Sequence, residues 1–182
     1  QQAYREYLEQ SVGELQHFVD KSQRVHSPKV VHLLVTGCRD LGDLYAQQKD
    51  DVAAIKWYEK AFDVGRKSFP VNPSKDFRAL QASVLTRWAE VLRASGHTKD
   101  ALKKCALALK TWEAINEQKP TVPEYLLQQA VTMGQCAQIR RTLGVDSNTL
   151  QNLQRAKTML SRLVREHPRE ARFSAALEDI LH

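Results

Sequence analysis

Glycine and proline are scarce, with 7 glycines and 6 prolines among 182 residues. Sandwiches and barrels need turn residues about every 8–12 positions, which this chain cannot supply. The shortage also excludes collagen-like and linker-like chains. Cysteine is sparse too: Cys38, Cys105 and Cys136 lie far apart and form no CxxC pair. Such usage suggests neither a disulfide framework nor a zinc site, and it fits a reducing compartment. No apolar run approaches the ~20 residues of a membrane span; the longest, near residues 30–35, is broken by His32. The chain opens without a signal peptide and without methionine, so a cytoplasmic piece of a larger protein is expected.

What is present is ordinary for a globular chain: 42% hydrophobic and 26% charged residues. The net charge of +6, from 27 basic and 21 acidic side chains, permits an acidic partner without demanding one. Turn signals fall at Ser27-Pro28, Lys49-Asp50-Asp51, 70–74, Gly96-His97-Thr98, 120–123, 144–148 and His167-Pro168. The segments between them have helical periodicity. Eight helices are expected, at about 2–24, 28–48, 51–68, 75–95, 98–117, 122–143, 148–166 and 169–181. Tyr4, Leu8, Leu15, Phe18 and Val19 share a face of the first; Val31, Leu34, Cys38, Leu41 and Tyr45 share one of the second. Ser27 is a good N-cap with Pro28 at the first helical position, and Thr98 and Ser147 resemble it as starts. Asp50-Asp51 suits the positive end of a helix.

Helices joined this tightly must be antiparallel neighbours, so the chain reads as a series of helical hairpins. The hairpins repeat. Leu41, Gly42, Tyr45, Ala54, Tyr58 and Ala61 in one are matched by Trp88, Ala89, Leu92, Ala101, Cys105 and Ala108, all at an offset of 47. Gly42 with Ala54, and Ala89 with Ala101, would let paired helices approach, while Tyr45, Tyr58 and Leu92 fill the space beside them. One hairpin cannot bury its apolar face alone, so stacking is required.

This pattern resembles the tetratricopeptide repeat: a Leu-Gly pair, an aromatic three residues later, a turn, then Ala, an aromatic and Ala. Met133-Gly134, Ala137 and Ala156 form a third, looser match, with three extra residues in its turn. The implied fold is all-α: a right-handed stack of antiparallel hairpins in one domain over residues 1–182. An N-terminal helix (1–26) would precede hairpins at 27–69, 74–118 and 121–167, and a capping helix (169–182) would follow. Residues 120–144 and 163–177 also look like bacterial signalling proteins that carry such a tail beside a catalytic domain, although no kinase motif is present.

The resemblance implies a concave groove lined by the first helix of each hairpin, receiving a peptide or a partner helix. Matching positions hold Thr36, Arg39 and Asp43, then Ser83, Thr86, Glu90 and Arg93, then Gln128, Gln135 and Gln138. The subfamily that grips chaperone C-termini uses a Lys/Asn/Arg clamp there. Here the corresponding Arg39, Asp43, Arg87, Gln128 and Thr132 keep one cation where the clamp begins and add a repelling carboxylate, so that ligand is not expected.

No phosphate-binding loop, nucleophile elbow or HExxH motif occurs, and the histidines are scattered. Neither an enzyme nor a metal or cofactor site is expected. Between Arg140 and Arg172 stand eight basic and three acidic residues. Arg155, Arg162 and Arg165 form a stripe that Arg169 and Arg172 would extend. It reads as a solvated face, with docking of an acidic partner as the sharper alternative; nucleic acid is disfavoured, because no aromatics interleave. The expected function is protein–protein interaction. The alternatives are a regulatory tail on an enzyme of the same chain and nucleic-acid binding through this basic third.

Overall fold

A computed structural model describes residues 2–21, 27–68, 73–117, 122–145 and 149–181. Eight α-helices account for nearly all of them: α1 Gln2–Lys21, α2 Pro28–Gln47, α3 Asp51–Ser68, α4 Lys75–Ala94, α5 Thr98–Asn116, α6 Pro123–Thr142, α7 Thr149–Glu166 and α8 Ala171–Leu181. No strand occurs among the described residues. The helices match the expected ones, except that α8 begins at Ala171 because Pro168-Arg169 forms a turn ahead of it. The expected end of α1 and the start at Ser147 lie outside the described residues.

Each hairpin turn is built the same way. The second residue past the first helix is left-handed: Lys49 (φ 62°), Gly96 (φ 83°) and Gly144 (φ 67°). The next N–H reaches back five residues, from Asp50 to the Tyr45 carbonyl (3.0 Å), His97 to Leu92 (2.8 Å) and Val145 to Arg140 (3.0 Å). This arrangement satisfies carbonyls that a helix end leaves unpaired. The same cap thus recurs at all three hairpin turns.

Helix starts are less uniform. Asp50 Oδ1 accepts from the Ala53 N–H at 3.0 Å ahead of α3. Ser74 caps α4 by accepting from the Phe77 N–H at 3.2 Å. Ser27 makes no side-chain cap bond, and its carbonyl instead accepts from Val30 at 2.9 Å. Thr98 is already helical, with His97 in the cap position.

Packing follows the repeat. Of the twelve residues in the two matched sets, all but the half-buried Tyr45 are buried. A Cβ on Gly42 would lie 2.6 Å from Tyr58 Cε1, so glycine is what allows α2 and α3 to close on the Tyr58 ring. Gly134 acts elsewhere: its added Cβ would meet Ile180 of α8 at 3.2 Å. It therefore eases the approach of α8, not of its own hairpin partner. The first helix departs from its expected face. Val12 and Val19 are buried while Tyr4 (57%) and Phe18 (58%) are exposed, because α1 packs only on α2 and needs one narrow stripe.

Consecutive helices pack together, and α2, α4, α6 and α8 also touch one another in turn. The backbones of α3, α5 and α7 stay farther apart, bridged by long side chains such as Arg155 towards Glu113 and Lys104 towards Phe62. The inner helices thus close ranks while the outer ones fan apart, which curves the stack. The architecture is an all-α helical-repeat solenoid with α2, α4, α6 and α8 on the concave side.

One pairing contradicts the reading of the cysteines. Helices α5 and α6 bring Cys105 and Cys136 together as a disulfide, with Cα atoms 5.7 Å apart and a sequence separation of 31. Sequence spacing hides this, because hairpin 2 meets hairpin 3 only through stacking. Cysteine usage therefore no longer argues for a reducing compartment. Among the described residues, no helix is long and apolar enough to cross a membrane.

Candidate functional site: the concave groove

The expected groove residues fall into three groups. Some are engaged by their own chain. Arg39 pairs with its neighbour Asp40 at 2.7 Å. Asp43 accepts the Tyr58 hydroxyl at 2.6 Å and meets Arg87 of α4 at 3.1 Å. Burial first, and this bond to Asp43 second, push the Tyr58 pKa far above the ordinary phenol value. Asp43 is thus a neutralised link between α2, α3 and α4 rather than a carboxylate free to repel a ligand. Gln128 donates to Glu124 at 2.9 Å near the start of α6.

A second group is packed or neutral. Thr86 is buried, a correction to its expected place on the open groove. Its hydroxyl donates to the Ala82 carbonyl at 2.9 Å and lies 3.1 Å from Thr132 Oγ1 on α6. The helices touch here, so the position belongs to the inner seam. Ser83 is half-buried beside it, and Thr36 lies near His32, Oγ1 to Nδ1 3.5 Å.

The third group forms a cleft. Glu90, Arg93, Gln135 and Gln138 line a cavity of about 320 Å³ where α4, α6 and α8 meet. Its floor is Val131, Gly134, Ile139, Ala176 and Ile180, with Asp179 on the far rim. Sequence reasoning missed the α8 residues, because a capping helix was not expected to join the inner layer. Glu90, Arg93 and Asp179 have no ion pair among the described residues. The Gln135 Oε1 is buried and accepts no hydrogen bond. Two smaller cavities extend the cleft. One of about 240 Å³ shares Gly134, Gln138, Asp179 and Ile180 and adds Arg141; another of about 300 Å³ shares Glu90 and runs past Arg87 to Asp43.

The basic stripe is broken by internal pairing. Arg155 faces Glu113 at 3.8 Å and Arg162 binds Glu166 at 2.7 Å. Arg162 also holds the Glu166 carboxyl below its ordinary pKa. Arg172 does not extend the stripe. From α8 it reaches Glu124 of the inner layer and Glu170 beside it. Arg165 and Arg169 have no ion pair among the described residues, and Arg169 sits in the turn before α8.

Among the described residues, no group of three or more His, Cys, Asp or Glu could hold a metal. The Cys38 thiol is buried, and burial raises its pKa to about 11, which keeps it protonated and inert.

Fold and groove together define a helical-repeat solenoid with a polar-rimmed concave cleft. No protein-family model and no curated protein matches the sequence. Among solved structures, the crystal structure of BtubC (BKLC) from P. vanneervenii is similar, with a TM-score of 0.64 and 18% sequence identity. The match covers 97% of this chain and 70% of that one. At this identity the likeness speaks for the fold alone.

Proposed function

We propose that the chain is a tetratricopeptide-like module for protein–protein interaction, holding an extended or helical segment of a partner in its concave groove. The observation that carries this reading is the cleft between α4, α6 and α8. There an apolar floor lies beside an unpartnered Gln135 acceptor and the unpaired charges Glu90, Arg93 and Asp179. Such a site suits a peptide, which brings backbone donors for an amide acceptor and apolar side chains for the floor. A role as the regulatory tail of a larger protein would use the same groove.

The test is selection from a random-peptide display library, followed by binding measurements with the peptides recovered. Gln138→Trp, which fills the cleft, and Arg93→Glu should each abolish binding of those peptides. Arg165→Glu on the outer layer should leave it unchanged. Peptides that ignore both groove changes would refute the reading.

A further inference from the structure

The layers of the solenoid differ in charge. Helices α3, α5 and α7 together carry 12 Lys and Arg against 6 Asp and Glu. The inner helices α2, α4, α6 and α8 carry 9 against 7, and α1 carries 2 against 4. The excess on the three outer helices equals the +6 of the whole chain. Position in the fold, not position in the sequence, concentrates it: of the eight bases between Arg140 and Arg172, only four lie on α7.

Part of this charge is used internally. Arg66 pairs with Asp63, Lys103 with Asp100, Arg155 with Glu113 and Arg162 with Glu166. Lys56, Lys67, Lys99, Lys110, Lys157 and Arg165 are exposed and have no ion pair among the described residues. They span all three outer helices. The three outer helices keep a net positive charge after their own six carboxylates are counted, and a complementary acidic surface would be attracted to it.

We propose that this convex face is a second docking surface and takes an acidic protein segment, one rich in aspartate and glutamate. Two features favour a protein over a nucleic acid. The outer helices interleave six carboxylates with the bases, which would oppose a continuous phosphate rail but leave room for clustered acidic side chains. The aromatic faces near this surface are already covered. Lys60 Nζ lies 4.9 Å from the Trp57 ring centre, and Lys104 Nζ lies 3.5 Å from that of Trp88 and 5.7 Å from that of Phe62. No aromatic platform is left there on which bases could stack. A membrane would need exposed apolar anchors; of the large ones, the outer helices offer only Val52, Leu107 and Leu150, one on each.

The probe is a labelled oligoglutamate peptide, its binding followed by anisotropy across a salt series around 0.15 M, where the screening length is about 8 Å. One variant combines Lys56→Glu, Lys99→Glu, Lys110→Glu and Lys157→Glu. A second reverses the same number of charges off the convex face and away from the groove: Lys21→Glu, Lys29→Glu, Lys49→Glu and Arg169→Glu. The first should weaken binding about tenfold or more and the second less than about threefold, since local complementarity decides the contact. Equal losses would mean that net charge alone is sensed and would overturn the proposal. So would tighter binding of duplex DNA, or of phosphatidylserine vesicles, than of oligoglutamate under the same salt. Circular dichroism checks that each variant is folded, and two-residue subsets of the first set stand in if it is not. Peptides selected on the groove should bind the first variant normally, so this proposal and the groove reading can fail separately.

Discussion

Replacing Gly42 tests the close approach on which the first hairpin depends. An added Cβ would stand 2.6, 2.7 and 2.9 Å from three carbons of the Tyr58 ring. Ordinary carbon contacts are about 3.5–4.0 Å, so the ring must retreat by about 1 Å or the helices must part. The ring has little freedom, being 1% exposed and tied through its hydroxyl to Asp43, which is itself paired with Arg87. Alanine would recover ~1 kcal/mol of helix propensity and lose ~1–3 kcal/mol to overpacking, for a small net loss. Leucine lacks that near-balance and should cost at least the full ~1–3 kcal/mol. At about 2–4 °C per kcal/mol for a chain of this size, Gly42→Leu should melt several degrees lower. Thermal and urea unfolding measure the loss. Gly13, with nothing within 4 Å of its added Cβ, is the control, and Gly13→Ala should stabilise by ~0.5–1 kcal/mol. Tyr58→Leu should soften the penalty at Gly42, since the two positions share one contact. A Gly42→Leu protein that melts within about 1 °C of the parent would refute the packing argument.

Two further outcomes follow from the turns and the cysteines. Lys49 is left-handed where the equivalent turns have Gly96 and Gly144, so Lys49→Gly should stabilise by about 1 kcal/mol. A drop in the urea midpoint would contradict that assignment. The Cys105–Cys136 bond spans 31 residues, so on the chain-entropy account reduction should cost ~3–4 kcal/mol. Alkylation of unfolded, unreduced protein should then modify Cys38 alone; modification of all three cysteines would show that the bond is absent.

Much of the fold was legible because helix signals are local. Turn residues and the small residues within each hairpin act between near neighbours in sequence, and they reappear in the structure, with the positions related by the offset of 47 buried alike except at Tyr45. The groove was legible only in part. Thr86 and Asp43 lie on the correct helices, yet one is sealed against Thr132 and the other is bound to Tyr58 and Arg87. An inner helix packs on its hairpin partner and on inner helices to either side, so only a narrow stripe stays open. Amphipathic reading assumes a wider one.

By itself, then, the sequence determined that the chain is all-helical, where each hairpin turns and which residues allow the helices to close, because those choices depend on contacts within a few turns. Tertiary structure alone decided which helices meet across repeats. It placed α8 in the inner layer beside Gly134, joined Cys105 to Cys136 and gathered the excess positive charge onto α3, α5 and α7. The physical reason is that helical periodicity says which side of a helix is buried, whereas only the stacking says what it is buried against.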